Sequence, residues 1–174
     1  MSFFVRKIMR SSNVNLISDC PKDDLLDITS DVTTNEFRTS ESKLSVWLID
    51  SLDDLDKAVL AISMGGKQIE DIKVIVIDEK KLGDCFTFDK SPGNTVATPL
   101  KDMHRDICGI THNSLTILLN AYKEAVDESM CIRYKTKALK KIIKDALAAE
   151  QIDLKKAEET NEKLANQLKE LQAS

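Results

Sequence analysis

Residues 44–78 read LSVWLIDSLDDLDKAVLAISMGGKQIEDIKVIVID, and this stretch decides the fold. Leu44–Asp50 is an apolar run of strand length, and Ile72–Asp78 is a second. Between them Leu52, Leu55, Val59 and Ile62 recur at spacings of three and four, which puts them on one stripe of a helix. Ser51 stands where an N-cap belongs, with Asp54 three residues on, close to a capping box. Gly65-Gly66 then ends the helix in the manner of a left-handed C-terminal cap. Strand, helix, strand is the βαβ pattern, and it predicts two parallel strands joined by a right-handed crossover. Strands without polar alternation also predict helices over both sheet faces. The expected fold class is α/β, with α+β as the alternative. It is a small mixed sheet holding a parallel βαβ unit, with flanking helices and a C-terminal helical extension.

Working outward, FFVRKI at 3–8 is aromatic and β-branched enough for a first strand. Residues 9–22 are polar and approach Pro21, which reads as a loop. Residues 23–43 show no sustained period, with a short helix near 22–28 followed by irregular chain. Downstream, CFTF at 85–88 reads as a short strand and SPGN at 91–94 as a turn. Residues 101–112 fit neither period. Asn113 or Ser114 caps a helix reaching about Asp127, and Leu115, Leu118, Leu119, Tyr122 and Val126 form its core stripe.

The division expected is an α/β domain over 1–128 and a charged helical tail over 129–174. From Thr136 the tail opens with an amphipathic helix marked by Leu139, Ile142, Ile143, Ala146 and Leu147. Two readings of the rest stay open. A heptad register places Leu147, Leu154, Asn161 and Leu168 on one seam position and Ala157, Leu164 and Leu171 on the other. Asn161 would then fix the register of a parallel coiled coil. Against it, Glu150 falls on the seam and Ile152 falls off it. The second reading turns the chain at Gln151-Ile152, caps a new helix with Asp153, and folds two helices back on the domain.

The chain has 174 residues, 42% hydrophobic and 31% charged, with net charge -4. That size suits one domain with an appendage. The acidic balance excludes a protein that coats nucleic acid with its whole surface, so any such contact must be local. The cysteines Cys20, Cys85, Cys108 and Cys131 form no C-x-x-C pair, which argues against a zinc knuckle or redox dithiol. Arg6 and Lys7 interrupt the N-terminal apolar stretch before it makes a signal-peptide core, and no apolar run reaches the ~20 residues of a spanning helix. The expectation is a cytoplasmic protein with reduced thiols and no membrane contact.

Several residue sets could carry chemistry. His104, Cys108 and His112 are spaced by four, so one helix would put all three on a face that suits a soft metal. Cys108 beside either histidine also has the composition of an activated thiol. Gly109 breaks that helix, which leaves a buried Cys and two surface histidines as the plainer account. The letters His104-Arg105-Asp106 match a kinase catalytic loop, but no glycine-rich loop or DFG accompanies them. Asp50 and Asp78 each end a predicted parallel strand, where ligands bind in open α/β sheets, and two carboxylates there would hold Mg²⁺ for phosphoryl or nucleotide chemistry. Their plainer role is capping. No cofactor is implied. Arg133, Lys135, Lys137, Lys140, Lys141 and Lys144 are opposed only by Asp145 between 131 and 145, a local +5 from six charges against one. This stretch suits a nucleic-acid backbone or an acidic partner.

Residues 30–63 hold TTN, LSVW and LDKAVLAI. With FFVRKI, this texture resembles small uncharacterised bacterial proteins from gene clusters of the antiviral-defence or mobile-element type, over roughly the first 110 residues. The resemblance implies an accessory or adaptor subunit and transfers no site residues. The leading expectation is therefore a non-enzymatic subunit that self-associates or docks another protein through Leu154, Asn161, Leu164, Leu168 and Leu171. The alternatives are a nucleic-acid contact through the basic stretch and a Mg²⁺ enzyme using Asp50 and Asp78.

Overall fold

A computed structural model describes residues 2–21, 30–39 and 43–173. Six strands make one sheet: β1 (Phe3–Lys7), β2 (Leu44–Ile49), β3 (Ile72–Asp78), β4 (Thr87–Lys90), β5 (His104–Cys108) and β6 (Cys131–Tyr134). Their order is β4-β5-β2-β1-β3-β6, and every neighbouring pair is antiparallel. The protein is thus of mixed α/β type, with helices against the sheet.

The central unit departs from its expected pairing. β2 and β3 do run in the same direction, with α3 (Leu55–Ser63) connecting them. They are not neighbours. β1 lies between and pairs antiparallel with both, Val5 standing opposite Trp47 on one side and Val76 on the other. The parallel pair is a split one, and the sheet is antiparallel throughout rather than mixed. A helical crossover sets strand direction, but it leaves a gap that a third apolar strand can fill, and FFVRK fills it.

Cover on both faces holds as expected. Val5, Trp47, Ile49, Val74 and Val76 point to one face and pack with α3 and the C-terminal helices. Phe4, Leu44, Val46, Ile75, Ile77 and Ile107 point to the other, under α1 (Ser11–Asp19), α2 (Ser30–Glu36) and α4 (His112–Asp127). Alternate side chains thus reach different apolar layers, which is why β2 and β3 read as unbroken hydrophobic runs.

Local expectations needed several corrections. Residues 11–19 are helical, not loop; Val14 and Ile17, three apart, are the residues this short helix buries. Residues 30–36 are helical too, burying Val32 and ending at buried Glu36 and Phe37. The helix expected near 22–28 lies outside the described residues. Ser51 makes no side-chain cap; it precedes a 3-10 turn at Leu52–Asp54 from which α3 starts. α4 is capped by Thr111, not Asn113 or Ser114: Ser114 N donates to Thr111 Oγ1 at 3.3 Å and Thr111 N to Ser114 Oγ at 2.8 Å. Gly65 and Gly66 have no positive φ, so neither is a left-handed cap. Gly65 is required for clearance, since a Cβ there would lie 2.3 Å from Asn94 O.

The C-terminal residues belong to the sheet and its core. β6 extends the sheet beside β3, with Ile72 opposite Tyr134 and Ile75 opposite Cys131. α5 (Thr136–Ala148) buries Leu139, Ile143, Ala146 and Leu147. The chain then reverses through Glu150, at φ 54°, and buried Ile152. Asp153 caps α6 (Leu154–Thr160), its side chain accepting from Lys156 N at 3.0 Å. Asn161 caps α7 (Glu162–Gln172), accepting from Leu164 N at 3.2 Å and donating Nδ2 to Gly66 O at 3.1 Å. The chain therefore turns at Gln151-Ile152 with Asp153 as cap, as the second reading has it, but Asn161 breaks the remainder again, so the tail is three helices rather than two and the continuous heptad helix does not form. A boundary at 128 falls between α4 and β6, but the apolar core runs through it. Among the described residues no helix is long and apolar enough to cross a membrane.

Candidate functional site

The residues assigned to a self-association seam are spent inside the chain. Leu164 and Leu168 are buried, Leu154 and Leu171 pack at the margin of the same core, and Asn161 is the α7 cap. None is left in a stripe facing solvent. A heptad seam and the inner face of a folded-back helix share the same spacing, so the pattern named the buried side but not what covers it.

The basic stretch divides. Arg133, on β6, is ion-paired with Asp71 at 2.8 Å. Asp71 also accepts from Thr136 N and Thr136 Oγ1, each at 2.7 Å, at the start of α5. Those bonds, with Arg133 beside it, hold the Asp71 carboxyl down at about 2. Lys135 is the exposed residue just ahead of α5. Lys137, Lys140, Lys141 and Lys144 follow at spacings of three and four, all exposed on the outer side of α5 while its inner side is locked in the core. None of the four has a carboxylate within ion-pair distance among the described residues.

The histidine–cysteine set does not assemble. His104 and Cys108 lie on a strand, about 13 Å apart at 3.3 Å per residue, whereas His112 opens α4. No group of three His, Cys, Asp or Glu among the described residues is placed to hold a metal. The Cys108 thiol is pushed up, first by burial and then by donating to Asp89 at 3.3 Å, which opposes nucleophilic use. Asp50 and Asp78 lie at one end of the sheet with β1 between them. Ile49 and Asp78 both face Phe3, so these strand ends are two strand spacings, about 10 Å, apart. Asp78 is engaged as a cap, accepting from Lys80 N at 3.0 Å.

One cluster was not visible in the sequence. On the α3 side of the sheet, Ser91 Oγ donates to Asp106 Oδ2 at 2.6 Å and lies 2.9 Å from His104 Nδ1. Ser45 Oγ donates to Asp106 Oδ1 at 3.2 Å. His104 is 8% exposed and meets Trp47 edge-on, with ring centroids 5.2 Å apart. The loop after Ser91 is seated by Gly93, where a Cβ would lie 2.3 Å from Trp47 Cη2 and 3.0 Å from His104 Cβ. Beside this cluster is a cleft of about 340 Å³ lined by Arg6, Lys7, Ser45, Trp47, Asn94 and His104, with Ile62 and the end of α3 as one wall.

No family model, curated protein or solved structure matches the chain.

Proposed function

We propose that the protein is a binding module that acts through its C-terminal helical layer, with the α5 lysine stripe contacting the phosphate backbone of a nucleic acid. One observation carries this reading. Lys137, Lys140, Lys141 and Lys144 form an outward row, without carboxylate partners among the described residues, on a helix whose other side is anchored in the core. Rigid placement matters because it spaces the charges without an ordering cost at binding. A row of four suits backbone contact, which positions without reading bases. It also reconciles local binding with a net charge of -4.

The test is fluorescence anisotropy with labelled single- and double-stranded oligonucleotides over a salt series. Four phosphate contacts give a slope of log K against log salt of about -3 to -4. The Lys140→Glu, Lys141→Glu double variant is expected to abolish binding while its circular dichroism and urea midpoint stay near wild type. Absence of salt-sensitive binding by the wild type would sink the proposal. Retention on immobilised polyglutamate without oligonucleotide binding would equally refute it, and would point to an acidic protein partner.

A further inference from the structure

We infer that the cleft beside His104 binds a small organic anion carrying a hydroxyl group. The tautomer of His104 follows from the bonds around Ser91. The Ser91 hydroxyl has one proton, which goes to Asp106 Oδ2 at 2.6 Å, so towards His104 it can only accept. The Ser91 carbonyl oxygen, 3.2 Å from the same Nδ1, can only accept as well. Both neighbours therefore demand a proton on Nδ1, and in the neutral imidazole Nε2 holds the lone pair.

Nε2 has no hydrogen-bond partner among the described residues. It is not sealed away either, because the buried side-chain polar atoms without partners there are Ser63 Oγ and Tyr122 Oη. His104 lines the cleft, so its free acceptor is open to that space. An oriented, nine-tenths-buried acceptor against an aromatic ring selects a ligand donor, and a hydroxyl is the simplest.

The charge of the lining supplies the rest. Lys7 brings a cation on the Val5 side of β1, and among the described residues no carboxylate lines the cleft. Arg6 alternates to the Phe4 face of β1, where its guanidinium donates to Glu36 O and Ser45 O beside the buried Glu36 carboxylate, so the cleft's charge comes from Lys7. Lys7 reaches Glu70 at 3.3 Å, an exposed pair that a ligand anion can displace at little cost. The volume is at the lower end for small-molecule sites, with an apolar wall and few polar groups, as such sites are commonly built. Phosphate and carboxylate share this chemistry, and the probes below separate the two.

Trp47 is the single tryptophan and forms part of the wall, so its emission reports on the cleft directly. Glycerol 3-phosphate, glycerate and methyl phosphate are titrated in turn into the full chain. A saturable change in emission is expected with the first, the second or both, at concentrations below about 10 mM. Methyl phosphate, which lacks the hydroxyl, is expected to bind about tenfold more weakly than glycerol 3-phosphate. His104→Phe keeps a ring against Trp47 and should erase that difference. Lys7→Gln, at the sheet margin, should weaken every probe several-fold. Reversing the α5 lysines should change none of these values, so this site and the nucleic-acid reading fail independently. No saturable response to any probe overturns the inference, as does binding that both variants leave unchanged. Equal affinity for methyl phosphate and glycerol 3-phosphate removes the hydroxyl and the role of His104.

Discussion

Truncating Leu168 to alanine tests whether the last helix is core or appendage. Leu168 is fully buried, in one cluster with Leu139, Ile143, Leu164 and Ala165. Its helix is also tied down by Ile69 N, which donates to Gln167 Oε1 at 2.8 Å. Leu→Ala at fully buried positions costs about 3–5 kcal/mol, the transfer of the lost methyls plus the cavity left behind. At about 2.1 cal/mol/K of unfolding entropy per residue, a chain of this length gives roughly 0.4 kcal/mol per degree, so about 3 kcal/mol lowers Tm by about 8 °C. Urea unfolding followed by circular dichroism and by Trp47 emission should show one shifted transition by both probes. Leu171→Ala, at a half-buried position, should cost distinctly less. Light scattering should be unchanged for both variants. A Leu168→Ala protein with wild-type stability and altered mass would refute the reasoning, because the leucine would then serve another chain. By the same logic a chain ending at Glu128 should not fold, since it loses β6 and the cover over α3.

Among the described residues Tyr122 Oη is buried without a hydrogen-bond partner of good geometry, the Arg6 guanidinium lying near it, while its ring meets Phe37 edge-on at 4.7 Å. Tyr122→Phe is therefore expected to be neutral or to stabilise by up to about 1 kcal/mol in urea unfolding, and a loss beyond that would reveal a partner for the hydroxyl. Glu36 is 1% exposed and its carboxylate accepts from Met9 N, Arg10 N and Asn13 Nδ2 at 3.2, 3.2 and 2.7 Å. Glu36→Gln turns an amide N–H₂ towards those donors and is expected to cost roughly 2–3 kcal/mol, measured the same way. Asp71 has its folded pKa lowered from 3.8 to about 2, chiefly by the Thr136 side-chain and backbone donors and then Arg133. A lowered folded pKa means the contribution is present above 3.8 and is lost as pH falls towards 2. The Asp71→Asn variant should accordingly lose less stability than wild type across that window, and parallel acid profiles would show that Asp71 is not the group responsible.

Element identity was legible wherever a run was long and periodic. β2, α3, β3, α4 and α5 all lie within stretches that the period picked out. Pairing was not legible, because no residue of β2 or β3 encodes that β1 will stand between them. α1 and α2 were missed for a different reason: Val14 with Ile17, and Val32 with Glu36, are too few residues to establish a period. Thr111 and Ser114 are both good cap residues and bond each other reciprocally, so residue type alone does not separate the cap from its partner.

The two candidate sites differ in legibility because of how they are assembled. The lysine stripe lies on one helix, so spacing along the chain equals placement in space, and four lysines three and four apart remain neighbours once α5 forms. The histidine cluster draws Ser45 from β2, Ser91 from a loop, and His104 and Asp106 from β5. Spacing determines only the last two, and only through the strand period, which places residues two apart on one face. Read as a helix, the same segment joins His104 to Cys108 and suggests a metal. Read as a strand, it joins His104 to Asp106 and suggests an oriented imidazole. The period of residues 101–112 thus determines which side chains meet and which chemistry they can perform. The clearest available arbiter was the alternation itself, since Ile107 faces the core while His104, Asp106 and Cys108 belong to the opposite side of the strand.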